Sequence, residues 1–80
     1  MRPVLDVSLK GVEKARLLAG PGPLPEGALL LGLIQMGSRE GALVQFKSGT
    51  YVQWNAGVTR TLNQEDVKQA LEVYECSSRG

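Results

Sequence analysis

Histidine is absent from the 80 residues of this sequence, and cysteine occurs only once, at Cys76. Histidine is the commonest general base near neutral pH and the commonest neutral metal ligand, so its absence excludes Ser-His-Asp and Cys-His catalysis within the chain. A single cysteine forms neither an internal disulfide nor a zinc site, and such sparse use is typical of a reducing compartment. We therefore predict that the protein is not an enzyme and uses no metal or cofactor.

Long apolar segments and a strong net charge are also missing. The longest apolar run, Ala28 to Ile34 with Gly32 inside it, is much shorter than the ~20 residues that span a bilayer. The N-terminal sequence MRPVLDVSLK lacks the apolar core of a signal peptide. A net charge of +1 is typical neither of a dedicated nucleic-acid binder nor of an acidic nucleic-acid mimic. The sequence predicts a cytoplasmic protein with no membrane contact.

The residues that the chain does contain predict one small α+β domain over residues 1–80. In the N-terminal unit, residues 1–19, alternating apolar side chains over 4–10 predict a strand, and strong helix formers over 12–19 predict a short helix. A rival interpretation starts the helix at Asp6 or Ser8 and places Gly11 inside it. Residues 20–27, GPGPLPEG, contain three prolines and three glycines and predict an extended linker.

Residues 28–62 predict an antiparallel β-meander of three to four strands. The expected turns are 37–41, 47–49 and 55–57, and each ends in glycine, which suits three-residue hairpin loops. A three-residue loop at 47–49 pairs Ala42 with Trp54 and Val44 with Val52 and gives one apolar face. A two-residue loop would mix the faces, because a slip of one residue reverses every side chain.

Residues 63–75 predict a C-terminal amphipathic helix, followed by a frayed tail at 76–80. Asn63 is a strong N-cap, and Leu62 and Val67 have the spacing of a hydrophobic staple. An apolar stripe follows the helical repeat and is expected to pack on the apolar face of the meander. Its members are Val67, Ala70, Leu71 and Tyr74.

The candidate binding surface is the opposite face of the meander and its basic edge. On the expected register Trp54 points toward the core, whereas Tyr51 lies on the other face. Tyrosine and arginine are enriched at interface anchors, and basic side chains contact anions. The predicted partner-binding residues are Tyr51, Gln45, Gln53, Arg39, Lys47 and Arg60. The sequence leaves open whether this edge or the acidic C-terminal helix makes the contact.

Tyr51 to Leu71, YVQWNAGVTRTLNQEDVKQAL, resembles the C-terminal half of small orphan proteins encoded by bacterial phages and prophages. The whole chain is similar in kind to anti-CRISPR and other phage anti-defence proteins. That resemblance implies a non-enzymatic inhibitor, monomer or homodimer, which binds a host CRISPR-Cas effector complex in the bacterial cytoplasm and blocks its nucleic-acid recognition. No site residue follows from it.

Two alternatives stay open at this point. One is a small nucleic-acid-binding or nucleotide-binding protein that uses the same basic edge. The other is a structural or assembly subunit of a phage or mobile element, which dimerises through the edge strand Val58 to Leu62.

Overall fold

The structure of the protein is a computed structural model, and it describes the backbone of residues 2–79 and the side chains of residues 2–75. Within this part of the chain, five strands and two helices follow one another in a fixed order. They are β1 (Val4–Asp6), α1 (Leu9–Ala19), β2 (Leu29–Met36), β3 (Arg39–Gln45), β4 (Tyr51–Asn55), β5 (Val58–Thr61) and α2 (Gln64–Arg79).

The five strands form one antiparallel sheet in the order β1-β2-β3-β4-β5, so β1 and β5 are its edges. The predicted α+β class is confirmed. The strand count and helix placement differ from the prediction, because β1 joins the meander as a fifth strand and the two helices cover opposite faces.

The N-terminal strand ends earlier than predicted and the helix begins earlier, at Leu9. Ser8 is the N-cap, since its hydroxyl accepts a hydrogen bond from the Gly11 N–H at 3.2 Å. The Ser8 hydroxyl and the Ser8 backbone N–H both donate to the Asp6 carboxylate. These hydrogen bonds, the hydroxyl bond more than the backbone bond, hold the pKa of that carboxyl below its usual value. The rival interpretation was correct in placing Gly11 inside the helix. A side chain at Gly11 would collide with the Asp6 carbonyl oxygen, so only glycine fits there without a shift of β1 or α1.

The three hairpin turns divide into two kinds. The predicted three-residue loop at 47–49 is confirmed: Ala42 lies opposite Trp54, and Gly49 takes a φ of 95°. The other two turns are tighter than predicted. β2 and β3 join through residues 37–38, and β4 and β5 join through Ala56 and Gly57, both at positive φ, as a type I′ turn requires.

The predicted packing of the helices is corrected by the structure. α1, rather than the C-terminal helix, covers the apolar face of β3 and β4, because it presents the small buried residues Gly11, Ala15 and Ala19 to the sheet. Trp54 is half-buried on this face, as expected. A cluster of larger side chains fills the opposite face, under α2. Its buried members are Ile34, Leu43, Leu62 and Val67.

α2 begins as predicted and continues further than predicted. The Asn63 side-chain oxygen accepts from the Asp66 N–H at 3.1 Å, and Leu62 and Val67 are buried in one cluster. The helix runs past the expected end at residue 75 to Arg79, because Cys-Ser-Ser-Arg contains no glycine or proline to stop it. Gly80, the last residue of the expected tail, lies outside the described residues. Neither helix, over the described residues, is long and apolar enough to cross a bilayer.

Candidate functional site

α2 covers much of the sheet face that was expected to bind a partner. Tyr51 is half-buried and packs against the cluster under α2. Its backbone N–H donates to Gln64 Oε1 at 2.7 Å, and its carbonyl accepts from Gln64 Nε2 at 2.9 Å. The Gln64 side chain thus continues the hydrogen bonding of β4 past the end of β5. Tyr51 therefore holds α2 on the sheet, and its ring is not a free stacking surface.

The two glutamines of the predicted surface have different environments. Gln53 is only 3% exposed, and its Nε2 donates to the carbonyls of Ile34 and Arg39 at 3.3 Å each. The Gln53 side chain has room because residue 41 is glycine: a Cβ on Gly41 would lie 2.8 Å from Gln53 Cγ. Gln45 is half-buried beside the 47–49 loop, where its Nε2 lies 3.4 Å from the Gly49 carbonyl. Gln53 is therefore a structural bridge across three strands.

Two of the three predicted cations share one groove. Arg39 begins β3 and Arg60 lies in β5, and both line a shallow open groove of about 380 Å³ on the part of the sheet that α2 leaves uncovered. Its other lining residues are Ser38, Glu40, Gln53, Asn55 and Val58. We call this surface the arginine groove. Lys47 lies at the other end of β3, with its side chain near Gly27, and does not belong to the groove.

The register of β5 explains why Arg60 reaches the groove. The two-residue turn places Asn55 opposite Val58 and Gln53 opposite Arg60, so the Arg60 side chain projects from the same face as Gln53. A three-residue turn at 55–57 would have set Arg60 opposite Val52, on the face of α1. The position of the second guanidinium therefore depends on one residue in the turn.

The electrostatics of the arginine groove are those of an anion site. Neither Arg39 nor Arg60 has an ion pair among the described side chains of residues 2–75. Glu40 does not neutralise them, because its carboxylate turns to Lys14 of α1, 3.2 Å away, on the opposite face. Asn55 Nδ2 donates to the Glu40 carbonyl at 2.8 Å and fixes the rim. Two unpaired guanidinium groups in one groove can hold carboxylate or phosphate oxygens.

The described part of the chain contains no cluster of metal-binding side chains. Among the described residues, no group of three or more acidic or cysteine side chains converges in a way that could hold one. Sequence reasoning missed Asn55, Ser38 and Val58 as groove residues. No local signal identifies them, because the two-residue turn places Ala56 at positive φ, which alanine rarely adopts.

The fold and the groove define a class of protein: a small α+β domain whose antiparallel sheet lies between two helices and exposes a groove lined by Arg39 and Arg60. No family model, curated protein or solved structure matches this chain.

Proposed function

We propose that the protein acts by stoichiometric binding of an anionic partner surface, without catalysis of its own, and that the arginine groove makes the contact. One observation carries the proposal: Arg39 and Arg60 are solvent-exposed, line the same groove and have no ion pair within residues 2–75. Two guanidinium groups on a nearly neutral protein concentrate positive potential at one place, which orients an anionic partner.

The groove is held in a fixed shape before any partner arrives. Gln53 forms its floor and is fixed by two hydrogen bonds to neighbouring strands, and Asn55 is fixed by its bond to the Glu40 carbonyl. A site whose polar groups are already positioned loses little conformational entropy on binding. The arginine side chains are the parts that become ordered, so truncating them should affect binding without affecting the fold.

The specific form of the proposal is an inhibitor that binds a bacterial defence effector complex of the CRISPR-Cas kind and blocks its nucleic-acid recognition. Its support is the resemblance in kind to phage anti-defence proteins, together with the groove. The phosphates of a guide or target strand and the metal-binding carboxylates of a nuclease are all anions that two guanidinium groups can hold.

Two other functions have an observation in their favour. The arginine groove also fits the phosphates of a nucleotide or a nucleic acid, and such binding weakens as salt concentration rises. β5 is an edge strand whose four residues are all exposed, which favours a subunit that dimerises by strand addition.

The test is to express the tagged protein in a bacterium with an active CRISPR-Cas or cyclic-nucleotide defence system and to identify what co-purifies. We expect a defence effector in stoichiometric amount. The Arg39→Glu/Arg60→Glu double variant should lose it, because the groove then repels an anion. Lys47→Glu is the matched control: it reverses another exposed cation, outside the groove, and should keep the effector.

Circular dichroism of each variant separates lost binding from lost folding. Binding retained by the folded double variant would remove the groove from the proposal. Recovery of nucleic acid or a nucleotide in place of an effector would favour the second function, and recovery of a clean homodimer alone would favour the third.

A further inference from the structure

A second groove lies at the other end of the sheet, between β1 and α2. It encloses about 360 Å³ and is mainly apolar. Pro3, Val4 and Leu5 line it from the strand side, and Ala70, Val73 and Tyr74 line it from the helix side. We call it the β1–α2 groove. It shares no lining residue with the arginine groove, so the two surfaces can be tested separately.

The β1–α2 groove runs along the backbone of β1. Consecutive side chains of a strand alternate between the two faces of a sheet, yet Val4 and Leu5, neighbours in β1, both line this groove, together with Arg2 and Pro3 just before the strand. A groove on one face alone would contact every second residue. Since the other side of β1 pairs with β2, the groove lies at the free edge of the sheet, where backbone N–H and C=O groups have no strand partner.

The helix wall of the groove is separate from the buried face of α2. Val67 and Leu71 face the core, whereas Asp66, Ala70 and Val73 follow the i, i+4, i+7 spacing of a second stripe. Val73 is 66% exposed and Val4 across the groove is also 66% exposed, which makes them two of the most exposed large apolar side chains of the described chain. An apolar side chain placed between them would remove both from water.

The charges of the lining favour an uncharged occupant. Among the described residues that line the groove, Arg2 and Asp66 contribute one charge of each sign, so this lining has no net charge with which to attract an anionic lipid or a nucleic acid. A free strand edge beside an apolar helix wall instead matches an extended peptide, whose backbone pairs with the edge while alternate side chains enter the groove. β1 has three residues, so pairing extends over roughly three or four residues of the partner.

We propose that the β1–α2 groove binds an extended, uncharged apolar segment of a partner protein, which adds to β1 as a sixth strand. The first experiment is to pan a displayed library of random peptides on the full chain. The expected result is enrichment of peptides with alternating apolar residues. A library that yields no enriched sequence would overturn the proposal.

An enriched peptide is then titrated calorimetrically against wild type and two matched variants. Val73→Lys places a charge in the groove and should weaken binding by about tenfold or more. Leu17→Lys changes an exposed leucine on α1, on the opposite face, and should leave affinity within about twofold. The Arg39→Glu/Arg60→Glu variant should also bind the peptide as wild type does, which separates this inference from the proposed function. Equal binding by Val73→Lys would contradict the proposal.

A backbone-methylated form of the same peptide tests the strand addition itself. Methylation removes the N–H donors and keeps the apolar side chains, so we expect it to abolish binding. Undiminished binding would show apolar burial without strand pairing and would overturn the inference. Sedimentation of the protein alone tests whether a second copy of this chain occupies the groove. A dimer that Val73→Lys dissociates would show that it does and would contradict the proposal.

Discussion

On the sheet face under α1, the helix contributes Gly11, Ala15 and Ala19, and its larger apolar residues Leu9 and Leu17 point to solvent. On the face under α2, large aliphatic side chains from both layers fill the space, and Ile34, Leu43 and Val67 are almost fully buried. Small residues allow a helix backbone to approach a sheet closely, whereas large ones hold it further away and fill the gap.

The two grooves described above lie on the side of the sheet where the helix packs on large residues. α2 crosses its face on a layer of bulky side chains and leaves grooves at two places, beside β1 and over the exposed part of β3, β4 and β5. Both candidate sites therefore lie on the side where packing relies on large residues. The two faces should also be destabilised by different substitutions. Truncating a large side chain should destabilise the face under α2, and enlarging a small one should destabilise the face under α1.

Leu43→Ala should have the largest effect, because it removes a fully buried side chain from the face under α2. We expect the free energy of unfolding to fall by about 3 kcal/mol, a large part of the stability of so small a domain. Urea unfolding measures it. Leu17→Ala, at an exposed leucine, is the control and should change stability by less than about 0.5 kcal/mol. A loss below about 1 kcal/mol at Leu43 would show that this face is loosely packed.

Ala15→Leu should come next, with a loss of about 2 kcal/mol, since the added atoms enter a face with no room for them. The matched variant is Ala70→Leu, the same substitution on the helix of the other face. Its side chain would point into the β1–α2 groove, so we expect a change of less than about 0.5 kcal/mol. Equal losses in thermal or urea unfolding would show that the faces do not differ in packing.

The sequence was sufficient for the parts of the fold that local chemistry determines. The 47–49 loop with its left-handed glycine and the Asn63 cap of α2 follow from a few neighbouring residues. The position of α1 could not be predicted in the same way. Its buried stripe consists of glycine and alanine, whereas two of its three leucines, Leu9 and Leu17, are exposed, although leucine is the usual sign of a buried face.

The candidate site was predictable only in its residue types. Arg39, Lys47 and Arg60 were identified as cations, but their grouping depends on the β4–β5 turn, where one residue more or less moves Arg60 to the other face. Tyr51 and Gln53 looked like an exposed face because they alternate with apolar residues. They are covered by contacts with Gln64 and Gly41 that are distant in sequence and that no local pattern indicates.

Gly11→Ala should have the smallest effect on stability of the three substitutions. The sign of its effect is informative, because helix propensity alone predicts a gain in stability and close packing predicts a loss. Alanine normally stabilises a helix by about 1 kcal/mol relative to glycine. Here the new Cβ would collide with the Asp6 carbonyl oxygen and lie 2.6 Å from Asp6 Cγ, so the end of β1 or α1 must shift. Because that carbonyl also lies against Gly32, it has little room to move, and we expect a net loss of about 1 kcal/mol.

The control for Gly11 is Gly22→Ala in the segment between α1 and β2, where a Cβ would meet no atom within 4 Å. That variant should be neutral or stabilised by up to about 1 kcal/mol, since alanine reduces the freedom of the unfolded chain. Thermal unfolding of the two variants side by side separates close packing from helix propensity. A Gly11→Ala protein more stable than wild type would mean that α1 does not approach β1 closely and that its small residues do not set the packing of this face.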